Sequence, residues 1–113
     1  METNDALSSL PIIDWEAGTK LAGNNRQLAE ELIRFLCTTL NEEVASIKQA
    51  YQNQQMNQLL QRVHKLHGGV CYCGLPRLKM LLATMEKNLK TNKVDGLGEL
   101  VGQLEKEARR VHL

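Results

Sequence analysis

Residues 64 to 73 include four side chains that can act as nucleophiles or bind metals. They are two histidines and two cysteines: His64, His67, Cys71 and Cys73. A neutral imidazole near pH 7 is a nucleophile that can accept a phosphoryl group. Imidazoles and thiolates are also ligands that zinc prefers. The stretch therefore suggests either a reactive histidine or a metal site.

The apolar residues around this stretch predict a helix over about 56–70, with a core stripe formed by Leu59, Leu60, Val63, Leu66 and Val70. On a helical wheel His64 falls beside that stripe, and Gly68 lies one turn later on the face of His64. A glycine inside a helix costs about 1 kcal/mol relative to alanine, but it leaves space above the backbone. We therefore expect the imidazole of His64 to be accessible.

Four further helices are predicted from apolar spacing and capping residues. Asp14 is a candidate N-cap, Pro76 suits a first helical turn, and Gly74 is the predicted stop of the third helix. The apolar face of the second helix includes Leu28 and Phe35. The predicted fold is all-α, an antiparallel four-helix bundle with a short N-terminal capping helix. The predicted ranges, capping helix first, are about 14–22, 26–52, 56–70, 75–91 and 94–111.

Length and composition indicate one domain. The chain has 113 residues, 42% of them hydrophobic, enough for a single core. We assign residues 1–10 to a flexible lead-in and residues 11–113 to the domain. Three cysteines and an N-terminus without signal-peptide features predict a cytoplasmic location, and no apolar run is long enough for a membrane span.

Charge is distributed unevenly around His64. Residues 55–93 carry seven basic side chains and one acidic one, Glu86, whereas residues 1–54 carry eight acidic and four basic side chains. A basic surface can meet nucleic acid, a phosphate or an acidic protein pocket, and charge alone does not choose between them.

The segment Val63-His64-Lys65-Leu66-His67-Gly68, with Gly74 six residues later and then Leu75-Pro76-Arg77-Leu78, resembles the signature of histidine-containing phosphotransfer (HPt) domains. The resemblance covers about residues 11–108. Within the family it is most similar to the C-terminal domain of hybrid sensor histidine kinases of the BarA/GacS type.

This resemblance implies a phosphocarrier in a multistep His-Asp relay. His64 would accept a phosphoryl group from a receiver-domain aspartate of a hybrid kinase and pass it to the aspartate of a response regulator. The domain would have no cofactor and no autonomous catalysis of its own, because Mg²⁺ is held by the receivers. We expect a monomer that binds neither nucleic acid nor membrane, either free in the cytoplasm or at the cytoplasmic end of an inner-membrane sensor kinase.

Two positions depart from the commonest family pattern. Many members have Lys where this chain has His67, which donates a charge-assisted hydrogen bond only when protonated. Some members have Gln where this chain has Glu86, whose carboxylate would repel a phosphoryl group unless it binds His64, His67 or a nearby lysine. Lys65, Arg77 and Lys79 are candidate cations on the phosphate side.

We expect receivers to dock on the exposed face of the third helix. The expected phosphoryl surroundings are Lys65, His67, Gly68 and Glu86, and the expected docking residues are Leu60, Gln61, Lys65, Arg77 and Lys79. Basic side chains there would steer the domain toward an acidic pocket.

Three alternatives compete with this interpretation. His64, His67, Cys71 and Cys73 share one helical face and could form a regulatory or structural zinc site. Against a metal site, such ligands usually join segments that lack a core. A histidine-kinase dimerisation domain typically has an acid directly after its histidine and a proline five residues beyond it, where this chain has Lys65 and Gly69. A nucleic-acid-binding module would use the same basic surface, but no recognition helix is evident.

Overall fold

The computed structural model describes residues 7–113, and this part of the chain contains helices and no strand. The helices are α1 (Trp15–Leu21), α2 (Arg26–Gln52), α3 (Met56–Val70), α4 (Pro76–Lys90) and α5 (Leu97–Arg110). Helices α2 to α5 pack in cyclic order, since α2 contacts α3, α3 contacts α4, α4 contacts α5 and α5 returns to α2. Helix α1 packs on α2. The predicted all-α four-helix bundle with a short N-terminal helix is confirmed.

The core is built from the apolar stripe of each long helix. In α3 the stripe residues Leu59, Val63, Leu66 and Val70 are all 0–1% exposed. The predicted stripe of α2 was too wide, because Leu28 is 39% and Phe35 74% exposed. Among the described helices, none is long and apolar enough to cross the hydrocarbon layer of a membrane.

Local capping sets most helix starts. The Asp14 side chain accepts a hydrogen bond from the backbone N–H of Ala17 at 3.0 Å, and the Asn25 side chain accepts one from Leu28 at 3.0 Å. Pro76 is the first residue of α4, where its missing N–H leaves no helical bond unmade. These caps explain why α1, α2 and α4 begin within a residue of their predicted starts.

The fifth helix begins three residues later than predicted. Gly96 has a φ of +79°, a left-handed conformation that cannot belong to a right-handed helix, and α5 starts at the next residue, Leu97. Val94, the predicted start, is 54% exposed and lies outside the helix. The apolar spacing continued through this turn, so the pattern alone placed the boundary too early.

Gly74 has a different role from the predicted one. Helix α3 already ends at Val70, and Gly74 lies against the start of α1. The backbone N–H of Asp14 donates to the carbonyl oxygen of Gly74 at 2.8 Å. A Cβ atom on Gly74 would overlap the Asp14 carbonyl oxygen and lie 2.8 Å from the Gly18 nitrogen. The glycine is therefore required by backbone contact between α1 and the α3–α4 connection.

The segment before α1 is tied to the bundle. Leu7, which falls inside the stretch 1–10 predicted as a flexible lead-in, is only 4% exposed and belongs to the core. The Arg77 guanidinium donates through Nε to the Leu10 carbonyl oxygen at 2.8 Å. Residues 1–6 of that stretch lie outside the described residues.

Candidate functional site

His64 lies on the solvent side of α3, at the edge of the buried stripe. Its side chain is 71% exposed, although the preceding residue, Val63, is completely buried. A Cβ atom at Gly68 would have no neighbour within 4 Å, and the same holds for Gly69. The turn that follows His64 on its own face is therefore open to an incoming group.

Glu86 of α4 is the partner of His64. It is 9% exposed, and its carboxylate accepts a hydrogen bond from His64 Nδ1 at 2.7 Å through Oε2. Oε1 of the same carboxylate accepts one from His67 Nδ1 at 3.0 Å. Lys90, one turn further along α4, places Nζ 2.9 Å from Oε2. One carboxylate therefore joins two imidazoles and one ammonium group.

These contacts fix the ionisation of Glu86. The hydrogen bond from Lys90 and then the one from His64 lower the pKa of the Glu86 carboxyl to about 2. Partial burial acts in the opposite direction, and the bond from His67 adds to the lowering. Glu86 is consequently ionised near neutral pH, and it contacts all three kinds of partner that the sequence offered, His64, His67 and a nearby lysine.

The ionised carboxylate also selects the tautomer of His64. A carboxylate can only accept hydrogen bonds, so the Nδ1 atom that it contacts must carry a proton. In the neutral ring Nε2 is then the nitrogen with a free lone pair. The side chain is mostly exposed, so the nucleophilic Nε2 atom faces solvent. Glu86 orients the ring through Nδ1, as the carboxylate of a catalytic triad orients its histidine.

His67 is turned toward Glu86 of α4. Its side chain is 23% exposed, and its Nδ1 is bound to Glu86. The sequence indicated that His67 and Glu86 both differ from the common pattern. The structure shows that the two side chains contact each other.

Of the expected docking residues, three lie on α3 around His64. Leu60, which the sequence places both in the core stripe and on the docking face, is partly buried against the core, and Gln61 and Lys65 are exposed. Lys79 is exposed on α4, seven residues before Glu86, which is about 10 Å along a helix.

Arg77 is engaged inside the fold. Besides the bond to Leu10, its Nη1 lies 3.4 Å from Oε1 of Glu107, and its side chain is 16% exposed. Nine residues separate it from Glu86, about 14 Å along α4. The structure therefore does not bring Arg77 to His64, although both had been placed in one predicted surface.

Lys90 was absent from the predicted site residues. It was counted only as part of the basic stretch, yet it contacts the same carboxylate oxygen as His64. The i, i+4 spacing of Glu86 and Lys90 on one helix is the signal that would have identified it.

The proposed zinc ligands do not converge. Cys73 is 8% exposed, and its Sγ lies 3.8 Å from the Gly69 carbonyl oxygen, while both histidines turn to Glu86. Burial raises the pKa of the Cys73 thiol, which disfavours the thiolate that a metal needs. Among residues 7–113 no group of three or more histidine, cysteine or carboxylate side chains is arranged to hold a metal ion.

A groove of about 680 Å³ runs between α2 and α3, on the side of α3 away from Glu86. Phe35 and Tyr72 line it with 74% and 68% of their surfaces exposed. Lys65 and Gly69 form part of its wall, so it borders the face of His64. The helical spacing of Phe35 predicts a core position, so the sequence gives no sign of this groove.

The comparisons with known proteins agree with one another. A profile described as the Hpt domain matches residues 31–112. The sensor protein GacS of Pseudomonas syringae pv. syringae is 33% identical over 104 residues, which cover 87% of this chain and 12% of GacS. The signal transduction histidine-protein kinase BarA of Escherichia coli (strain K12) is 26% identical over 102 residues, 86% of this chain and 11% of BarA. The chain thus spans about an eighth of the length of these relatives.

A solved structure is similar over nearly the whole fold. The crystal structure of the HPT domain from a sensor hybrid histidine kinase of Shewanella gives a TM-score of 0.81 at 31% identity. The match covers 88% of this chain and 86% of that one.

Proposed function

The chain belongs to the Hpt domain family, and from this premise we propose that His64 is the residue on which it carries a phosphoryl group. Hpt domains of hybrid kinases are phosphocarriers in His-Asp phosphorelays and work with receiver domains. The observation that carries the assignment to His64 is the bond from its Nδ1 to Glu86 at 2.7 Å, combined with a side chain that is 71% exposed.

The chemical step uses the nitrogen that Glu86 leaves free. Nε2 of His64 attacks the phosphorus of a receiver aspartyl phosphate, a P–N bond forms, and the P–O bond to the aspartate breaks, releasing its carboxylate. No proton moves, because Nδ1 keeps its proton and the imidazole ring takes up one positive charge. Glu86 lies 2.7 Å from that ring and offsets the charge. Attack by the carboxylate of a second receiver reverses the step.

The partners are receiver domains of a hybrid sensor kinase and of a response regulator. The similarity to GacS and BarA supports the hybrid kinase as the donor. In this proposal Mg²⁺ is held by the receiver, the domain acts as a cytoplasmic monomer, and it has no cofactor or autonomous catalysis of its own.

The docking surface begins on α3 and extends toward α2. Leu60, Gln61 and Lys65 surround His64 on the exposed face of α3. Lys65 also belongs to the wall of the groove that contains Phe35 and Tyr72. Exposed aromatic side chains are common anchors of protein interfaces, so continuity through Lys65 supports a receiver that covers His64 and the groove together.

The test is phosphoryl transfer from a phosphorylated receiver to the wild type and to His64→Gln and His67→Gln variants. We expect acid-labile phosphate on the wild type and on His67→Gln, and none on His64→Gln. Both glutamines are polar and of similar size to histidine, so each variant serves as a folding control for the other, checked by circular dichroism. Label on His64→Gln would contradict the assignment, and the absence of label on His67→Gln would then point to His67 as the carrier.

A further inference from the structure

Lys90 shares an oxygen with the partner of His64. Its Nζ lies 2.9 Å from Glu86 Oε2, and His64 Nδ1 lies 2.7 Å from the same atom. These two distances leave at most about 5.6 Å between Nζ and Nδ1 of the imidazole, the ring nitrogen that would not carry the phosphoryl group. The ammonium group is therefore already beside the ring that would carry the phosphoryl group.

The Lys90 side chain can move without disturbing the core. It is 58% exposed and extends from the last residue of α4. A lysine carries a compact charge on a flexible four-carbon stem, and the three donors of its ammonium group can follow an acceptor that appears nearby. Moving the ammonium a few ångströms gives up its contact with Glu86, while the carboxylate keeps its hydrogen bonds from both histidines.

Phosphorylation would place a stronger anion beside Lys90 than the one it now binds. A phosphoryl group carries about −1.5 to −2 charges near neutral pH and three acceptor oxygens. Glu86 offers one negative charge, which it already shares with two histidines. The carboxylate at Nδ1 and a phosphoryl group on Nε2 would lie on opposite sides of one imidazole ring, near enough to repel each other, and a cation that reaches the phosphoryl group relieves that repulsion.

We propose that Lys90 is the residue that binds the phosphoryl group on His64, its ammonium group moving from Glu86 to a phosphoryl oxygen when the group arrives. This proposal rests on the proposed function, because it takes His64 as the carrier. It places the phosphate-side cation at a residue other than the three candidates that the sequence suggested, which are Lys65, Arg77 and Lys79.

Other described lysines are less well placed. Lys65 lies on α3 and lines the α2–α3 groove, on the side away from Glu86. Lys79 precedes Glu86 by seven residues, about 10 Å along α4. Lys87 follows Glu86 directly, which turns its side chain about 100° away around the helix. Among the lysines of residues 7–113, only Lys90 forms an ion pair with Glu86.

The experiment compares Lys90→Gln with Lys90→Arg and with Lys87→Gln, which removes an exposed charge from the same helix. Phosphoramidate, a small P–N phosphoryl donor, labels the histidine without any receiver, and ³¹P NMR follows the pH titration of the attached group. A bound ammonium lowers the pKa of a phosphoryl group. We therefore expect Lys90→Gln to raise this pKa by roughly 0.5–1, and Lys87→Gln and Lys90→Arg to leave it near the wild-type value.

The second readout is transfer from a phosphorylated receiver at saturating concentration. We expect Lys90→Gln to slow it roughly tenfold, the scale of one lost charge-assisted hydrogen bond, and Lys90→Arg to restore most of the rate. Equal ³¹P titrations and equal rates in Lys90→Gln and Lys87→Gln would overturn the proposal. Label retained on His64→Gln would instead show that the proposed function has failed.

Discussion

At the scale of single residues, the carboxylate at position 86 is matched to its neighbours. Its two oxygens accept hydrogen bonds from His64, His67 and Lys90 together. A glutamine there has only one acceptor oxygen, because its amide nitrogen donates. That oxygen could accept from His64 and Lys90, but His67 Nδ1 would then face the amide nitrogen and would have to be the unprotonated nitrogen of its ring.

The ionised state of Glu86 predicts how stability depends on pH. Its pKa is lowered to about 2 in the folded protein, whereas a glutamate in an unfolded chain has a pKa of about 4.3. The stabilisation is therefore complete above about pH 4.3 and is lost as pH falls toward 2. We expect the free energy of unfolding to fall through this window by up to about 3 kcal/mol more in the wild type than in Glu86→Gln.

Urea denaturation at several pH values between 2 and 6 measures this difference. Other carboxyl groups titrate in both proteins, so subtracting the two curves isolates position 86. Parallel curves would show that the contacts of Glu86 contribute no net stability.

Part of this site could be predicted from the sequence. His64, Gly68 and the edge of the core stripe follow from spacing within one helix, which is a local property. The pairing of Glu86 with both histidines depends on the register between α3 and α4, and periodicity does not set that register. The groove was missed for a related reason: Phe35 has helical spacing with the stripe but lies outside the area that neighbouring helices cover.

At the scale of secondary-structure elements, the connection between α3 and α4 sets the position of Glu86 relative to His64. Gly74 in this connection touches the backbone of Asp14 and Gly18. A side chain there would push α1 away from the bundle or displace the start of α4. Since α4 carries Glu86, the connection constrains the position of the carboxylate as well.

We expect Gly74→Ala to lower the free energy of unfolding by about 1–3 kcal/mol, the usual range for an overpacked site. The matched control is Gly68→Ala, because Gly68 lies within α3 and has open space around it. That change should stabilise the protein by about 0.5–1 kcal/mol, because alanine favours the helix. Urea denaturation of both variants is the measurement, and equal stabilities would contradict the role given to Gly74.

Helix boundaries were predictable where a local cap determines them. Asn25 and Pro76 lie next to the residues whose backbone they satisfy or constrain, so α2 and α4 start at or within one residue of the predicted positions. The start of α5 depends on the left-handed conformation of Gly96, and glycine in a sequence permits that conformation without requiring it. The contact between Gly74 and α1 joins distant parts of the chain and left no local signal.

At the scale of the whole molecule, the two sides of α3 differ. On the α4 side, Glu86 binds both histidines. On the α2 side, the groove presents Phe35 and Tyr72 to solvent. The core is thus covered on the side that orients His64, and apolar surface remains on the side proposed for docking.

This asymmetry predicts that Phe35→Ser weakens receiver binding. We expect KM for the phosphorylated receiver to rise roughly fivefold to thirtyfold, because losing an interface anchor costs about 1–2 kcal/mol of binding free energy. We expect little change in kcat. Leu21→Ser is the matched control, because Leu21 is 53% exposed on α1 and does not line the groove. Transfer kinetics at varied receiver concentration give both constants, and equal KM values for the two variants would place the docking surface elsewhere.

The open surroundings of His64 also limit the lifetime of a phosphoryl group bound to it. With 71% of the side chain exposed and space above Gly68 and Gly69, water reaches a phosphoryl group there for as long as it is carried. Enzymes that protect reactive intermediates from hydrolysis do so by closing over them. Here only a docked receiver would shield the phosphoryl group from water, so the domain is suited to rapid phosphoryl transfer rather than to holding the group for long. How long a signal persists in this relay would then depend on how soon the next receiver arrives.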